Sequence, residues 1–355
     1  MRLKILHKIL KDSGQFPYVV FNLKNIRYLT GFTGSNAYLI IDENANYFIT
    51  DSRYEIFART LLNDDYRFII QKKGFKDVFE QFIKENKIQK IFLEPSELKI
   101  DVFNTLKNAV PETELIPASD YISEMRAVKT SDEIKIIQEA VNIADSCIDH
   151  ILKIFNPEMT EWQLSAEIDS FYRKNNCRRT SFDSIVASGP GSAMPHYVPS
   201  FEKKIGTDTL LMIDMGCEYL DYCSDITRTF FIGNVPEKFM EIYNIVLEAQ
   251  NYAIEMVKPG VKCCDIDAAA RTHIEKRGYG NFFGHSLGHG VGLDVHENPY
   301  VKSDNSELLK SGSIITIEPG IYIEGEGGIR IEDMICVTDE GYMNMTGSSK
   351  EIIIL

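Results

Sequence analysis

Five ionisable residues, Asp214, Asp225, His289, Glu318 and Glu332, each sit in a strand-like, glycine-punctuated segment of an otherwise apolar stretch. The segments read I-D-M-G-C (213–217), S-D-I-T-R-T (224–229), G-H-S-L-G-H-G-V-G-L-D-V-H-E (284–297), T-I-E-P-G-I-Y (316–322) and R-I-E-D (330–333). Burying an unpaired charge in an apolar strand is strongly unfavourable. A fold that buries several carboxylates must therefore bring a compensating charge to them, and two divalent cations serve four carboxylates at once. The pattern predicts a dinuclear metal site and, with it, a metallohydrolase.

The 355 residues suffice for two domains, each with its own core. A net charge of −14 disfavours a nucleic-acid partner or an anionic membrane surface. The start, Met1-Arg2-Leu3-Lys4-Ile5-Leu6-His7, is too polar beyond Leu10 for a secretory apolar segment, and no apolar run approaches a membrane span. The seven cysteines are odd in number and contain no C-x-x-C pair, which fits buried reduced thiols in a cytoplasmic protein. Cys217 and Cys223 flank the Asp214–Asp225 hairpin, but carboxylates nearby favour hard-ligand chemistry over thiolate ligation.

Short strands alternate with amphipathic helices over the first part: Tyr18–Phe21, Ala37–Ile41, Tyr47–Thr50, Phe68–Ile70 and Lys90–Leu93 read as strands. This is an α/β domain, 1–123. Thr130 and Glu133 then form a capping box that opens a long helix, with Ile134, Ile137, Val141, Ala144 and Ile148 as its apolar stripe. Further helical patterns lie at about 161–175, 237–257 and 264–277, among meandering strands without βαβ alternation. The expected second domain, 124–355, is α+β.

Asp214 and Asp225 are expected on neighbouring strands of a hairpin, although either aspartate alone could simply cap a turn; Asp208 and Asp221 are read that way. His285, His289 and His296 crowd into twelve residues with Gly284, Gly288, Gly290 and Gly292, which let backbone approach a ligand closely. His289 can ligate as neutral imidazole, leaving His285 and His296 to donate to substrate. Alternation puts Arg330 and Glu332 on one face, so Arg330 is expected beside the metals, fixing a carboxylate ligand. His196 lies in a proline-bounded loop, P-H-Y-V-P (195–199).

These motifs together resemble the pita-bread metallopeptidases, the family of methionine aminopeptidase, aminopeptidase P and prolidase. The resemblance rests on the order Asp, Asp, His, Glu, Glu with the aspartates eleven positions apart, on P-H-x-x-P, on G-H-x-x-G-H-x-x-G with V-H-E, and on R-I-E-D, over residues 126–355. Y-L-T-G-F-T-G-S-N-A (28–37) and T-D-S-R-Y (50–54) resemble the creatinase-type N-terminal domain of the proline-specific members, which methionine aminopeptidases lack. Creatinase itself has lost the ligands that this chain keeps.

The resemblance implies that Asp214 chelates one ion, that Asp225 and Glu332 bridge both, and that His289 and Glu318 complete the second. It implies that Glu318 shuttles a proton between the attacking water and the leaving nitrogen. His285 and His296 would stabilise the oxyanion, and His196 would orient the residue after the scissile bond. Mn²⁺ is the expected metal, with Co²⁺ or Zn²⁺ as alternatives. The implied substrate is a peptide with proline in second position, its ring received by an apolar pocket to which Tyr197 and Tyr300 are assigned. The implied assembly is a homodimer. With no arginine between Arg277 and Arg330 to hold a dipeptide's carboxylate, the sequence favours an Xaa-Pro aminopeptidase over a prolidase, with Lys302 as a conceivable anchor. A metal-free peptide-binding protein on the same fold is the remaining alternative.

Overall fold

The structure, a computed structural model, describes residues 2–62 and 65–355; Met1, the first residue of the start read above, and Asn63 and Asp64 lie outside the described residues. The chain divides into two units, Met1–Arg126 and Ala127–Leu355. The expected break at 123/124 falls instead within a helix, Tyr121–Ala127. Local bonding explains the shift: Arg126 donates to Asn25 Oδ1 at 2.8 Å and Tyr28 donates to the Met125 carbonyl, so this turn is retained by the first unit.

In the first unit, α1 (Arg2–Ser13), β1 (Tyr18–Val20), α2 (Leu23–Thr30), β2 (Ala37–Ile41), β3 (Asn46–Thr50), α3 (Glu55–Leu61), β4 (Tyr66–Ile70), α4 (Phe75–Glu85), β5 (Lys90–Leu93), α5 (Ile100–Ala109), β6 (Glu114–Pro117) and α6 (Tyr121–Ala127) follow in order. The strands form one mixed sheet, β4-β3-β2-β1-β5-β6. Val19, Ile40, Ile49, Ile91 and Leu93 project from one face of it onto Phe75, Phe79, Phe82 and Ile83 of α4. The apolar spacing of α4 is a helical stripe, and the sheet residues alternate, so both periodicities meet in one core.

The second unit opens with α7 (Ser131–Ile154), whose Thr130 and Glu133 make the reciprocal capping bonds read from the sequence, typically worth ~1 kcal/mol. Next come α8 (Glu161–Lys174), β7 (Arg179–Thr180), β8 (Ile185–Ser188), β9 (Thr209–Met215), β10 (Cys217–Tyr219), β11 (Tyr222–Cys223) and β12 (Ile226–Ile232). They are followed by α9 (Glu237–Glu255), α10 (Cys263–Lys276), β13 (Gly288–Gly290), β14 (Glu297–Val301), β15 (Ile314–Ile317), β16 (Gly320–Ile323), β17 (Gly327–Arg330), β18 (Asp333–Val337) and β19 (Tyr342–Asn344). All the paired strands run antiparallel. The α+β expectation holds.

Two cores divide this unit. One joins α7 and α8 to β8, β9 and β12 through Ala144, Ile148, Leu164, Ile168, Val186, Ile213 and Phe230. The other joins α9 and α10 to β15 through β18 through Val246, Ala249, Ile266, Ile315, Ile329 and Ile335. Each sheet has an oily face on its helices, and the polar residues that interrupt the strands must project elsewhere. Asp214, Asp225, His289, Glu318, Arg330 and Glu332 line one cavity, whereas Arg228 and Asp333 pair with each other outside it. No helix among the described residues is long and apolar enough to cross a membrane.

Candidate metal centre

Strand register gathers the ligand candidates. Asp214 on β9 lies between Ile185 of β8 and Thr227 of β12, while Asp225 immediately precedes β12. The hairpin between the aspartates is broken at Gly216, where an added Cβ would collide with the Ser224 carbonyl, so the chain can double back only on glycine. His289 sits mid-β13, Glu318 follows β15, and Glu332 lies between β17 and β18. Gly288, next to His289, lies so close to the Thr316 carbonyl that a Cβ cannot be accommodated, which fixes His289 against the strand bearing Glu318.

One ligating atom from each of Asp225, His289 and Glu332 lies within 4.8 Å of the others. His289 Nε2 is 3.3 Å from Glu318 Oε1 and 3.7 Å from Asp225 Oδ2. Its Nδ1 donates to the Gly290 carbonyl at 3.1 Å, which leaves the Nε2 lone pair for a cation. Asp214 is held through one oxygen by Arg330 at 2.5 Å, and its other oxygen, Oδ1, is buried without a hydrogen-bond partner. Four carboxylates and an imidazole, with one orphaned buried oxygen, form a hard, oxygen-rich donor set that divalent cations fit.

The electrostatics agree. Burial pushes the Asp225 carboxyl well above the usual carboxylate range, and the neighbouring Glu332, Asp214 and Glu318 charges push it further. Glu332 is raised well above its ordinary value by burial and by Glu318 and Asp214. Asp214 is also raised by burial, against the opposing pull of Arg330. Burial works upward on Glu318 too, but without a cation His289 is protonated, the downward pull of burial on its own pKa being outweighed by Glu318. Its charge and Nε2–H hold Glu318 down at about 2; a cation on Nε2 would replace that proton.

Arg330, expected to fix a carboxylate ligand, holds Asp214: β17 ends at Arg330, and the guanidinium, 3% exposed, binds Asp214, the Tyr322 hydroxyl and Thr227. The expectation that His285 is free to donate to substrate needs correction, because Nδ1 donates to the Ser286 carbonyl at 2.7 Å and Nε2 accepts from Tyr322 at 2.9 Å. Burial lowers its pKa, consistent with that neutral tautomer. His296 and His196 both line the open side of the cavity, and the His296 ring lies 4.2 Å from that of His289. Lys302 pairs with Asp304 and is not among the lining residues.

The cavity, of about 570 Å³, is lined besides the carboxylates by Trp162, Phe182, Tyr197, Val198 and Tyr300, so both tyrosines expected at an apolar pocket reach it. Several residues that hold the ligands carried no motif. Thr227 donates to Glu332 at 2.7 Å, Thr316 donates to Glu318 at 3.0 Å, and Tyr322 bridges Arg330 and His285. Thr227 and Thr316 each lie two residues from a ligand along a strand, on the ligand's face, which is the signal that could have found them.

A buried, carboxylate-rich cavity at the meeting of antiparallel sheets defines a metal-dependent hydrolase. The model of metallopeptidase family M24 matches residues 135–339, and that of the creatinase/prolidase N-terminal domain matches residues 2–128. The chain belongs to metallopeptidase family M24. It is 38% identical to an Xaa-Pro dipeptidase of Pyrococcus horikoshii, covering 99% of this chain and 97% of that one. An Xaa-Pro dipeptidase structure from Bacillus anthracis superposes with a TM-score of 0.95 at 40% identity, covering 99% of each chain. An X-Pro aminopeptidase structure from Thermotoga maritima matches with a TM-score of 0.88 at 35% identity, covering 96% of this chain and 98% of that one.

Proposed function

We propose that this metallopeptidase hydrolyses the peptide bond before proline, with Xaa-Pro dipeptides as its preferred substrates. The observation that carries the reading is the cavity in which Asp225, His289 and Glu332 converge beside the orphaned Asp214 oxygen. The preference for dipeptides departs from the aminopeptidase reading of the sequence and is supported by relatives named Xaa-Pro dipeptidase that match over the full length.

Asp214, Asp225, His289, Glu318 and Glu332 would hold two divalent ions, which supply Lewis-acid polarisation and lower the pKa of a water. Glu318, hydrogen-bonded by Thr316, is the residue proposed to accept and return a proton. Arg330 orients Asp214, and His285 acts through Tyr322 on Arg330. His296 and His196 face the open cavity and would bind the peptide, including a dipeptide's carboxylate. We further propose Mn²⁺ as the metal, a homodimeric assembly and a cytoplasmic setting, the last consistent with seven free cysteines.

One observation favours the aminopeptidase reading. Among the described residues Arg330 is the one lining residue with a permanent positive charge, and Asp214 occupies it, so no unengaged arginine or lysine among them lines the cavity to take a free carboxylate. The test is to strip the protein with chelator, restore Mn²⁺, Co²⁺ or Zn²⁺, and follow Ala-Pro beside Ala-Pro-Ala-Ala. Cleavage of Ala-Pro alone supports the dipeptidase. Release of the first residue from the longer peptide makes it an aminopeptidase, and silence on both sinks the reading.

A further inference from the structure

We infer that Glu161 is a positioning residue, a buried latch that holds the His196-bearing wall of the cavity in register with the carboxylate cluster. Glu161 opens α8, far in sequence from every ligand candidate, and is 0% exposed. Its Oε1 accepts from Ser188 N at 2.9 Å, Ser188 Oγ at 2.7 Å and Lys203 Nζ at 3.0 Å. Its Oε2 accepts from Tyr197 Oη at 2.7 Å and Ser200 N at 3.1 Å. Five donors on one buried carboxylate form a saturated network, and all five come from the two ends and the middle of one segment, 188–203. Burial pushes the Glu161 carboxyl up, but the bonds from Ser188, Tyr197 and Lys203 outweigh it and leave it below its ordinary value.

Apart from these bonds, 194–201 is tied down by the Pro195 carbonyl, which accepts from Arg330 at 3.5 Å, and by Phe201 against the Trp162 ring at 4.3 Å. The stretch contains no strand, and Met194, Val198 and Phe201 are exposed. Backbone bonds from Glu161 N to the Lys203 carbonyl and from Trp162 N to the Ser200 carbonyl sew the same stretch to α8. The other end, at residues 189–193, is fixed separately, by Ser192 Oγ accepting from Gly328 N at 2.8 Å. Pro195, His196, Tyr197, Val198 and Pro199 all line the cavity, whereas Glu161 does not. The carboxylate therefore acts on substrate only through the wall it holds. Loosening that wall leaves the metal ligands untouched but spreads His196 and Tyr197 over many positions, which weakens peptide binding more than it slows a bound peptide.

The inference rests on the reading that a peptide binds in this cavity. Its test compares wild type with Glu161→Gln in metal content, in kcat and KM on Ala-Pro, and in amide hydrogen exchange. We expect unchanged metal content, KM raised about ten-fold with kcat within about three-fold, and faster exchange confined to 194–201. Loss of metal, an equal acceleration of exchange in β9, or a fall in kcat without a rise in KM would overturn it, since each marks general structural damage or a different role. If Glu161→Gln does not fold, Tyr197→Phe and Lys203→Met each remove one donor; a smaller change of the same pattern supports the latch, and no change in either overturns it. A wild type silent on Ala-Pro defeats the functional reading instead, and the exchange pattern still decides whether Glu161 is the latch.

Discussion

Glu332 and Asp333 are neighbours, equally buried at 1% and 0% exposure, and their surroundings are opposite. Asp333 is saturated: Arg228 and Lys350 each donate to it at 2.8 Å, and Asn344 donates at 2.9 Å. Burial alone would raise Asp333, but Arg228 and Lys350 hold it below the usual carboxylate range. Glu332 receives a single hydroxyl donor, Thr227, and is raised well above its ordinary value. Arg228, 1% exposed, also donates to the Glu332 carbonyl, so the saturated side is the brace and the unsaturated side is the tool. A buried carboxylate with its partners present is structure. One with partners missing, beside others in the same state, is a binding site.

Breaking the tool should have the largest effect on activity. Glu332→Gln is expected to lower metal affinity by more than about 100-fold, since even an outer partner of a ligand costs 10–100-fold. Metal analysis after dialysis reads this directly, and a variant that retains its metal would defeat the assignment of Glu332. Breaking the brace should instead have the largest effect on stability. Arg228→Met strands Asp333 in the interior and is expected to cost about 3–5 kcal/mol in urea unfolding. A loss below about 1 kcal/mol would mean that Lys350 and Asn344 suffice without Arg228.

The two residues should also divide the pH dependence of the chelator-stripped protein. Glu332 has a raised folded pKa, so its contribution is full below the ordinary value of 4.5 and is lost as pH rises through the folded value. Asp333 has a lowered one, so its contribution is present above its ordinary 3.8 and is lost as pH falls through the folded value. Melting of stripped wild type should therefore decline above 4.5, and Glu332→Gln should flatten that decline. Parallel curves for the two proteins would show that Glu332 does not carry the effect. The smallest change sharpens the comparison from within the site: Tyr322→Phe removes one hydroxyl between Arg330 and His285 and should cost about 1 kcal/mol of transition-state stabilisation, read as kcat/KM with metal content unchanged.

Much of the first unit was legible because its elements announce themselves locally. The expected hairpin of 37–41 and 47–50 differs from β2 and β3 by one residue, and the stripe of α4 is a helix by spacing alone. The capping box at Thr130 is likewise a short-range pattern that tertiary contacts did not override. At the site, the ligand candidates stood out because acids are anomalous among Ile and Met residues. Their partners did not. Alternation places Arg330 beside a carboxylate ligand without saying which one it holds; the strand ends before Glu332, and Asp214 is the acid within reach. His285 looked available because a histidine near glycines has no visible partner in sequence, whereas Tyr322 arrives from a different sheet. Glu161 carries no sequence signal of its own, because an acid in the first turn of a helix is commonplace.

What the sequence by itself determined is which residues are chemically out of place, and that the strongly periodic or capped segments, such as α4, α7 and the β2–β3 hairpin, are helices and strands. Both follow from short-range rules: side-chain periodicity, capping, and the free energy of burying charge. Only the tertiary structure decided which buried acids are satisfied and which are left wanting, since hydrogen bonds to Glu161, Asp333 and Asp214 are made by residues 11 to 116 positions away. A hydrogen bond reaches about 3 Å and is blind to distance along the chain. The division of the acids into brace, latch and metal ligands is therefore written in the packing of strands against one another.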